Sequence, residues 1–306
     1  MELQGAQRQW LSTPRSRASA GHLLASWSLY AVLAYAALRS PLLLRLPIWL
    51  ALAWVLLGNG AVVHECTHRH LFRSAWLNRW VGALAGGSVL LPFGVYRSYH
   101  LAHHRYTVAI EDPEGPPLQF RSRLEYPLLL VGGVVFMVRL AAFGASTALG
   151  RPPIWLRSAS QRRAAVTDTF LCVALWAVVI LLAVRDLGAL CSVWLVPWLV
   201  AMGVLVPLVL ATEHYGAAVG TVAAADNTRT VVSNRIVRWL YWNNNFHTAH
   251  HQLPTVVHQG LPVLDQLSAQ ERDAAWTSSG YLAFHHQTWA SLPWFGHSRE
   301  RNSTTA

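Results

Sequence analysis

Nine histidines fall in a pattern that metal chemistry can use: His64 and His68 in HECTH, His100, His103 and His104 in HLAHH, His214 in TEHYG, and His247, His250 and His251 in HTAHH. Neutral imidazole is the commonest protein metal ligand. Residues three or four apart on a helix share a face, so HxxxH and HxxHH each aim two or three ring nitrogens at one point. One such box is weak evidence; three boxes with a further histidine supply donors enough for two metal ions.

Composition decides what must carry these side chains. The chain has 306 residues, 53% of them hydrophobic and only 12% charged, with 15 tryptophans. That is too apolar for a water-facing domain of this size and fits a membrane protein. A helix needs about 20 apolar residues to cross roughly 30 Å of hydrocarbon. Runs of that kind occur at 22–38, 42–63, 166–184 and 187–211. Arg39, Ser40 and Pro41 break the first pair, and Arg185 with Asp186 breaks the second, which predicts two helical hairpins. The first 20 residues are polar, carry Arg8, Arg15 and Arg17, and lack the compact apolar core of a cleaved signal peptide, so no cleavage is expected.

Charge sets the expected orientation. All 24 basic residues are arginine. Apart from Arg39, Arg45 and Arg185 they lie in the N-terminal stretch, between 66 and 165, or beyond 212, and arginine-rich segments stay in the cytoplasm. With the N-terminus inside, the second span ends at His64 and His68, the fourth ends at Glu213 and His214, and the other boxes fall in cytoplasmic segments. All nine histidines then reach one face of the membrane, with both chain ends cytoplasmic. The net charge of +10 is explained in this way without nucleic acid, for which no basic module interleaved with stacking aromatics is found.

Residues 76–95 and 126–146 are apolar as well, but glycine and proline interrupt them and Arg139 sits inside the second. They are read as helices that cover the bundle at the interface instead of crossing it. The fold class expected is an all-α membrane protein: four transmembrane helices in two hairpins, interfacial helices, and a cytoplasmic histidine-rich cap for two metal ions. A cytoplasmic tail over 1–21, one membrane domain over 22–298 and a disordered tail over 299–306 complete the organisation. Cys66, Cys172 and Cys191 are too few for a disulfide framework, and Cys66 reads as a helix residue facing away from His64 and His68.

The order HxxxH, HxxHH, a histidine after the last span, then HxxHH resembles the integral-membrane fatty acid desaturase and hydroxylase superfamily. The likeness extends to Glu111, Asp112 and Pro113 after the second box. TEHYG, NTRT (Asn227 to Thr230) and WNNNFHTAHHQLPTVVHQGLP look like the C-terminal half of bacterial desaturases, and TEHYG is similar to a segment of alkane hydroxylases. The resemblance covers residues 40–262. The first box is HxxxH and not the HxxxxH of acyl-CoA desaturases, which draws the likeness toward acyl-lipid and bacterial members and toward a bacterial plasma membrane. It implies a di-iron centre held by the nine histidines, O2 as co-substrate, and a fatty acyl or lipid substrate taken from the membrane. No HPGG haem-binding pattern is present. The resemblance therefore implies a separate electron donor, a ferredoxin, rubredoxin or flavoprotein reductase.

The donor chemistry agrees with that implication. Breaking an unactivated C–H bond needs a strong oxidant made from O2, a task for iron or copper, and an all-nitrogen ligand set suits iron while leaving positions for oxygen. Zinc has no redox chemistry and is satisfied by four ligands. Glu65 and Glu213 are expected behind the ligands, accepting the second ring N–H and so fixing the tautomer, with Asp226 a further candidate. Asn243, Asn244 and Asn245 could orient ligands, hold a water or form a turn, and Arg229 is read as facing solvent or headgroups, the alternative being contact with a substrate headgroup or an electron donor. His22, His70, His258, His285, His286 and His297 stand outside the boxes and are read as polar surface. The function expected is desaturation of a fatty acyl chain; the alternative is hydroxylation or ketolation of a lipid, carotenoid or smaller substrate. A different class is also open. HECTH satisfies HExxH, so an intramembrane zinc protease would use His64 and His68 as ligands and Glu65 as general base. A catalytically silent scaffold or metal sensor is a third reading.

Overall fold

Apolar length and turn chemistry between them place the helices. A computed structural model describes residues 5–221, 223–271 and 276–295. Helix α1 (Gly5–Ser12) leads into α2 (Ser16–Arg39) and α3 (Leu42–His68). Ser40 is extended (ψ 146°) and Pro41, which disfavours helix in the residue before it, caps the next helix, so the first hairpin turns where the sequence predicts. Then come α4 (Ala75–Ser88), α5 (Phe93–Tyr106), a 3-10 turn over Tyr126–Val131 that runs into α6 (Gly132–Ala148), and α7 (Ala159–Leu190). The chain returns through a π turn (Cys191–Leu195), α8 (Val196–Val200), a second π turn (Ala201–Leu205) and α9 (Val206–His214). Short elements follow: α10 (Ala224–Asn227), α11 (Arg235–Leu240), α12 (His247–Gln252), α13 (Leu261–Ser268) and α14 (Tyr281–Ser291). Among the described residues the only sheet is the parallel pair β1 (Thr230–Val231) and β2 (Thr277–Ser278).

Four helical stretches are long and apolar enough to cross a membrane: Gly5–Arg39, Leu42–His68, Tyr126–Ala148 and Ala159–His214. The last has 56 residues and reverses at Asp186, whose backbone leaves the helix (φ −156°, ψ 88°). The Trp176 and Trp198 rings meet at 6.3 Å across that bend, so its arms are antiparallel and form the second predicted hairpin. The two hairpin tips lie together, because Trp49 donates to the Ser192 carbonyl at 3.0 Å and Arg45 to the Ser192 hydroxyl at 2.9 Å. The opposite ends of α3 and α9 carry His68 and His214.

Proline explains the irregular returning arm. Pro197 has no N–H to give the Val193 carbonyl one turn earlier, and the Tyr30 hydroxyl of α2 donates to it at 2.7 Å. The helix α6 is the one place where length and contacts point differently. It qualifies as a span, yet Gly133 abuts Met202 of the returning arm while Gly144 abuts Thr169 of α7. The helix thus lies across the hairpin, as a cover does, and Arg139 in its middle donates to the Pro113 carbonyl at 2.6 Å.

Within the stretch read as a tail, α1 docks onto the third histidine box. Leu11 is fully buried among Ala249, Val256, Leu261 and Leu264, and its carbonyl accepts from the Val257 N–H at 3.1 Å. Residues 299–306 lie outside the described residues.

Candidate metal centre

The four helix ends that carry the histidines converge into two clusters. His64 and His68 of α3, His100 and His104 of α5 and His250 of α12 form the first; His103 of α5, His214 of α9, and His247 and His251 of α12 form the second. In each cluster one ring nitrogen per histidine lies within 4.8 Å of all the others. Helical spacing accounts for the division: His100 and His104 are four apart and fall together, whereas His103 lies on the adjacent face and turns to the second cluster.

The box borders are conformationally demanding. Arg69 (φ 62°) follows the first box, Val108 (φ 62°) closes the second, and Trp242 (φ 54°) with Asn243 (φ 57°) precedes the third. Left-handed backbone is unfavourable for residues with a Cβ, most of all for a β-branched valine. Asp112 holds that turn. It accepts from the Val108 N–H at 2.9 Å and from His103 Nδ1 at 3.0 Å, so one carboxylate fixes both the bend and the imidazole.

The donor set fits metal. His64 Nδ1 donates to Glu65 Oε1 at 2.9 Å, His103 Nδ1 to Asp112, and His214 Nδ1 to the Asn227 carbonyl at 2.9 Å. With Nδ1–H of His64, His103 and His214 committed outward, the Nε2 lone pairs of these rings face inward, beside the Nε2 atoms of the others. They crowd there: His64 and His250 at 3.0 Å, His250 and His104 at 2.9 Å, His104 and His100 at 3.0 Å, and His247 and His214 at 3.1 Å between Nε2 atoms. Nε2 of His251 is buried without a partner. At such separations two nitrogens either share a proton or repel, and so many inward donors in so small a space suit a cation among them.

Electrostatics differ between the rings. Burial, and then the proximity of the other imidazoles, holds His100, His104, His247, His250 and His251 well below the ordinary histidine range, so they stand as neutral donors. At His103 burial works the same way, but Glu114 and Asp112 outweigh it and the ring is pushed up to about 9.

Several supporting residues differ from expectation. Glu65 does lie behind His64, but it is fully buried and its second oxygen accepts from His70 Nδ1 at 3.1 Å. Both oxygens are thus engaged away from the cluster, which removes the general base that a zinc protease would need. Glu213 takes the Tyr241 hydroxyl at 3.1 Å, and its other oxygen lies 3.8 Å from the inner nitrogen of His247; it does not hold an outer N–H. The outer N–H of His214 goes instead to the carbonyl of Asn227, next to the expected Asp226. Asn243, Asn244 and Asn245 all donate to backbone carbonyls, of His258, Tyr241 and Val231, and build the turn. Arg229 is not solvent-facing: it donates to the Thr212 carbonyl at 2.8 Å and lies 4.8 Å from the rings of Trp276 and Phe284, tying down the end of α9 that presents His214.

Four lone histidines are not polar surface. His70 and His258 are buried, the latter 3.7 Å from Glu65 Oε2; His22 stacks on Trp242 at 3.7 Å; His285 bonds the Tyr126 hydroxyl and the Leu208 carbonyl, each at 2.7 Å. His286 is exposed, and His297 lies outside the described residues. The sequence signal for Asp112 was its place in the acidic-Pro turn after the second box; for His70 it was the shared short segment with Glu65.

Comparison with known proteins bears on this geometry. The chain is 39% identical over 83 residues to the sn-1 oleoyl-lipid 12-desaturase of Picosynechococcus sp., a match covering 27% of this chain and 23% of that protein. It is 38% identical over 56 residues to the Delta(12) fatty acid desaturase fat-2 of Caenorhabditis elegans, covering 18% and 15%. Over 66 residues it is 30% identical to the sn-1 acyl-lipid omega-3 desaturase (ferredoxin) of Nostoc sp., covering 22% and 18%. Each match spans less than a quarter of the relative's length. The family model for fatty acid desaturase, in contrast, matches residues 40–280, from the turn before α3 to the end of the β pair and across all nine histidines. The chain belongs to the fatty acid desaturase family.

Proposed function

We propose that this protein is an oxidase of the cytoplasmic membrane rim that desaturates a fatty acyl chain, with one iron in the five-histidine cluster and one in the four-histidine cluster. The observation that carries the reading is the convergence of nine imidazoles from α3, α5, α9 and α12 into two adjoining sets. Bound iron would supply activation of O2 and removal of hydrogen from an unactivated C–H bond. The chain's own residues do the rest. Glu65, Asp112 and the Asn227 carbonyl fix ring tautomers and orientation. Tyr96 stacks on His100 at 5.4 Å and meets Phe136, and Tyr99, Phe143 and Trp155 continue this aromatic packing. An apolar chain from the bilayer, held by shape between the spans, would present its carbons to this rim. Two of the three relatives carry oleoyl-lipid or acyl-lipid names, which supports a membrane lipid as substrate, and a ferredoxin-class protein as the electron donor follows the Nostoc relative's name.

The test is expression in a host of defined lipid composition with a ferredoxin and its reductase, followed by mass spectrometry of the acyl chains and iron analysis of the purified protein. A new double bond accompanied by two irons per chain is the expected result. A hydroxylated or keto product would transfer the reading to the alternative reaction, and zinc without iron would end it.

A further inference from the structure

On the side of α3 away from the histidines, a cavity of about 210 Å³ opens between α3, α4, α5 and α7. Cys66 lines it, so it shares the end of α3 with the first cluster while standing apart from it. Three arginines line it, Arg69, Arg79 and Arg97. One carboxylate opposes them. Asp168 accepts from Arg79 Nη2 and from the Gly94 N–H, so both its oxygens are occupied. Arg79 Nη1 is buried with no partner, and among the described residues the guanidiniums of Arg69 and Arg97 have neither a hydrogen bond nor an ion pair. Charge is therefore in excess by two around the cavity, where Arg79 and Arg97 are half-buried and Arg69 is exposed. Burial, then Arg69 and Arg79, lowers the affinity of Arg97 for its own proton, which is the mark of cations lacking a counterion.

Backbone polarity adds to this excess. α4, α5 and α7, of 14, 14 and 32 residues, all begin at the cavity, where Ala75, Gly94 and Gln161 line it, and helix N-termini favour anions. The depth is also informative. Trp76 and Trp80 on α4 are 65% and 52% exposed, beside Arg79, and exposed tryptophans of a membrane protein mark the headgroup level.

We propose that this cavity binds the phosphate group of an anionic membrane phospholipid, with Arg69, Arg79 and Arg97 as its ligands. The site is independent of the metal centre and of the reaction proposed for it. The test uses the full chain with its metal, purified in detergent, and native mass spectrometry with phosphatidylglycerol, phosphatidylcholine and inorganic phosphate. Phosphatidylglycerol should be retained in preference to phosphatidylcholine and displaced by millimolar phosphate. Arg97→Gln should lower its affinity about fivefold and the Arg69→Gln/Arg97→Gln pair about 25-fold, from roughly fivefold per arginine at a lipid surface. Arg97→Lys should keep most of the binding, and Arg163→Gln, an exposed arginine outside the cavity, should keep all of it. Iron content and melting temperature show that each variant is folded. Equal retention of the two lipids, or a double variant that holds phosphatidylglycerol as the parent does, overturns the proposal. Binding of inorganic phosphate with no binding of either lipid would give the cavity to a free oxyanion and overturn its assignment to the membrane.

Discussion

The two histidine clusters adjoin and share α5 and α12, yet they are surrounded differently. The first has five imidazoles and a single carboxylate behind it, Glu65, which it shares with His70. The second has four imidazoles ringed by Asp112 and Glu114 at His103 and by Glu213 at His247. Fewer nitrogens thus go with more negative charge. A cation in the first cluster would be held by number of neutral donors; one in the second would be held by fewer donors in a more anionic setting, with Glu213 on the ligand side. The pair is asymmetric by construction, and each half has its own means of keeping its rings in place.

The largest effect should come from the neighbours His250 and His251, which serve different clusters. Either change to alanine abolishes turnover, but His250→Ala leaves four imidazoles and His251→Ala three, so iron measured by plasma mass spectrometry should fall further in the second variant. Equal iron in the two would break the comparison. Next are the carboxylates behind the rings. Glu65→Gln and Asp112→Asn should each weaken iron binding by about 10- to 100-fold, seen in metal titration as the loss of one class of site and not both. Loss of both classes in either variant would show that the clusters do not act separately. Tyr241→Phe removes the hydroxyl from Glu213 and should lower turnover about tenfold, the lower end of the scale of one hydrogen bond to a charged group, with iron retained. Gly133→Ala brings a Cβ within 1.8 Å of the Met202 carbonyl, and the shift it forces should cost about 1–3 kcal/mol in thermal melting while both clusters keep their metal. His286→Ala, at an exposed ring, should alter neither iron nor turnover.

What could be read in the chain was what repeats at short range. HxxxH and HxxHH are helical spacings, and Arg39 to Pro41 and Arg185 with Asp186 are local breaks, so the boxes and both hairpins were legible. What could not be read was set by contacts between distant segments. His70 and His258 have no helical partner in a box, and only the fold brings both to Glu65. The Asn227 carbonyl that holds His214 is backbone and has no letter in the sequence. Glu213 and Arg229 were singled out as chemically capable, but which atom each would meet depended on how α9 ends against α14 and the β pair. The lie of α6 across the second hairpin was foreshadowed by Arg139 and the glycine pair, although hydropathy alone would make it a span.

The helix α12 has six residues, too few to be stable by itself, yet it gives one imidazole to one cluster and two to the other. It follows every span in chain order. Until this late segment lands against α1 and α13, neither set of nitrogens is complete, so capture of an ion by either set would come among the last events in maturation. The captured ions would then act as a clasp on the segment that admitted them, and a chelator should loosen this corner of the protein while the hairpins remain packed.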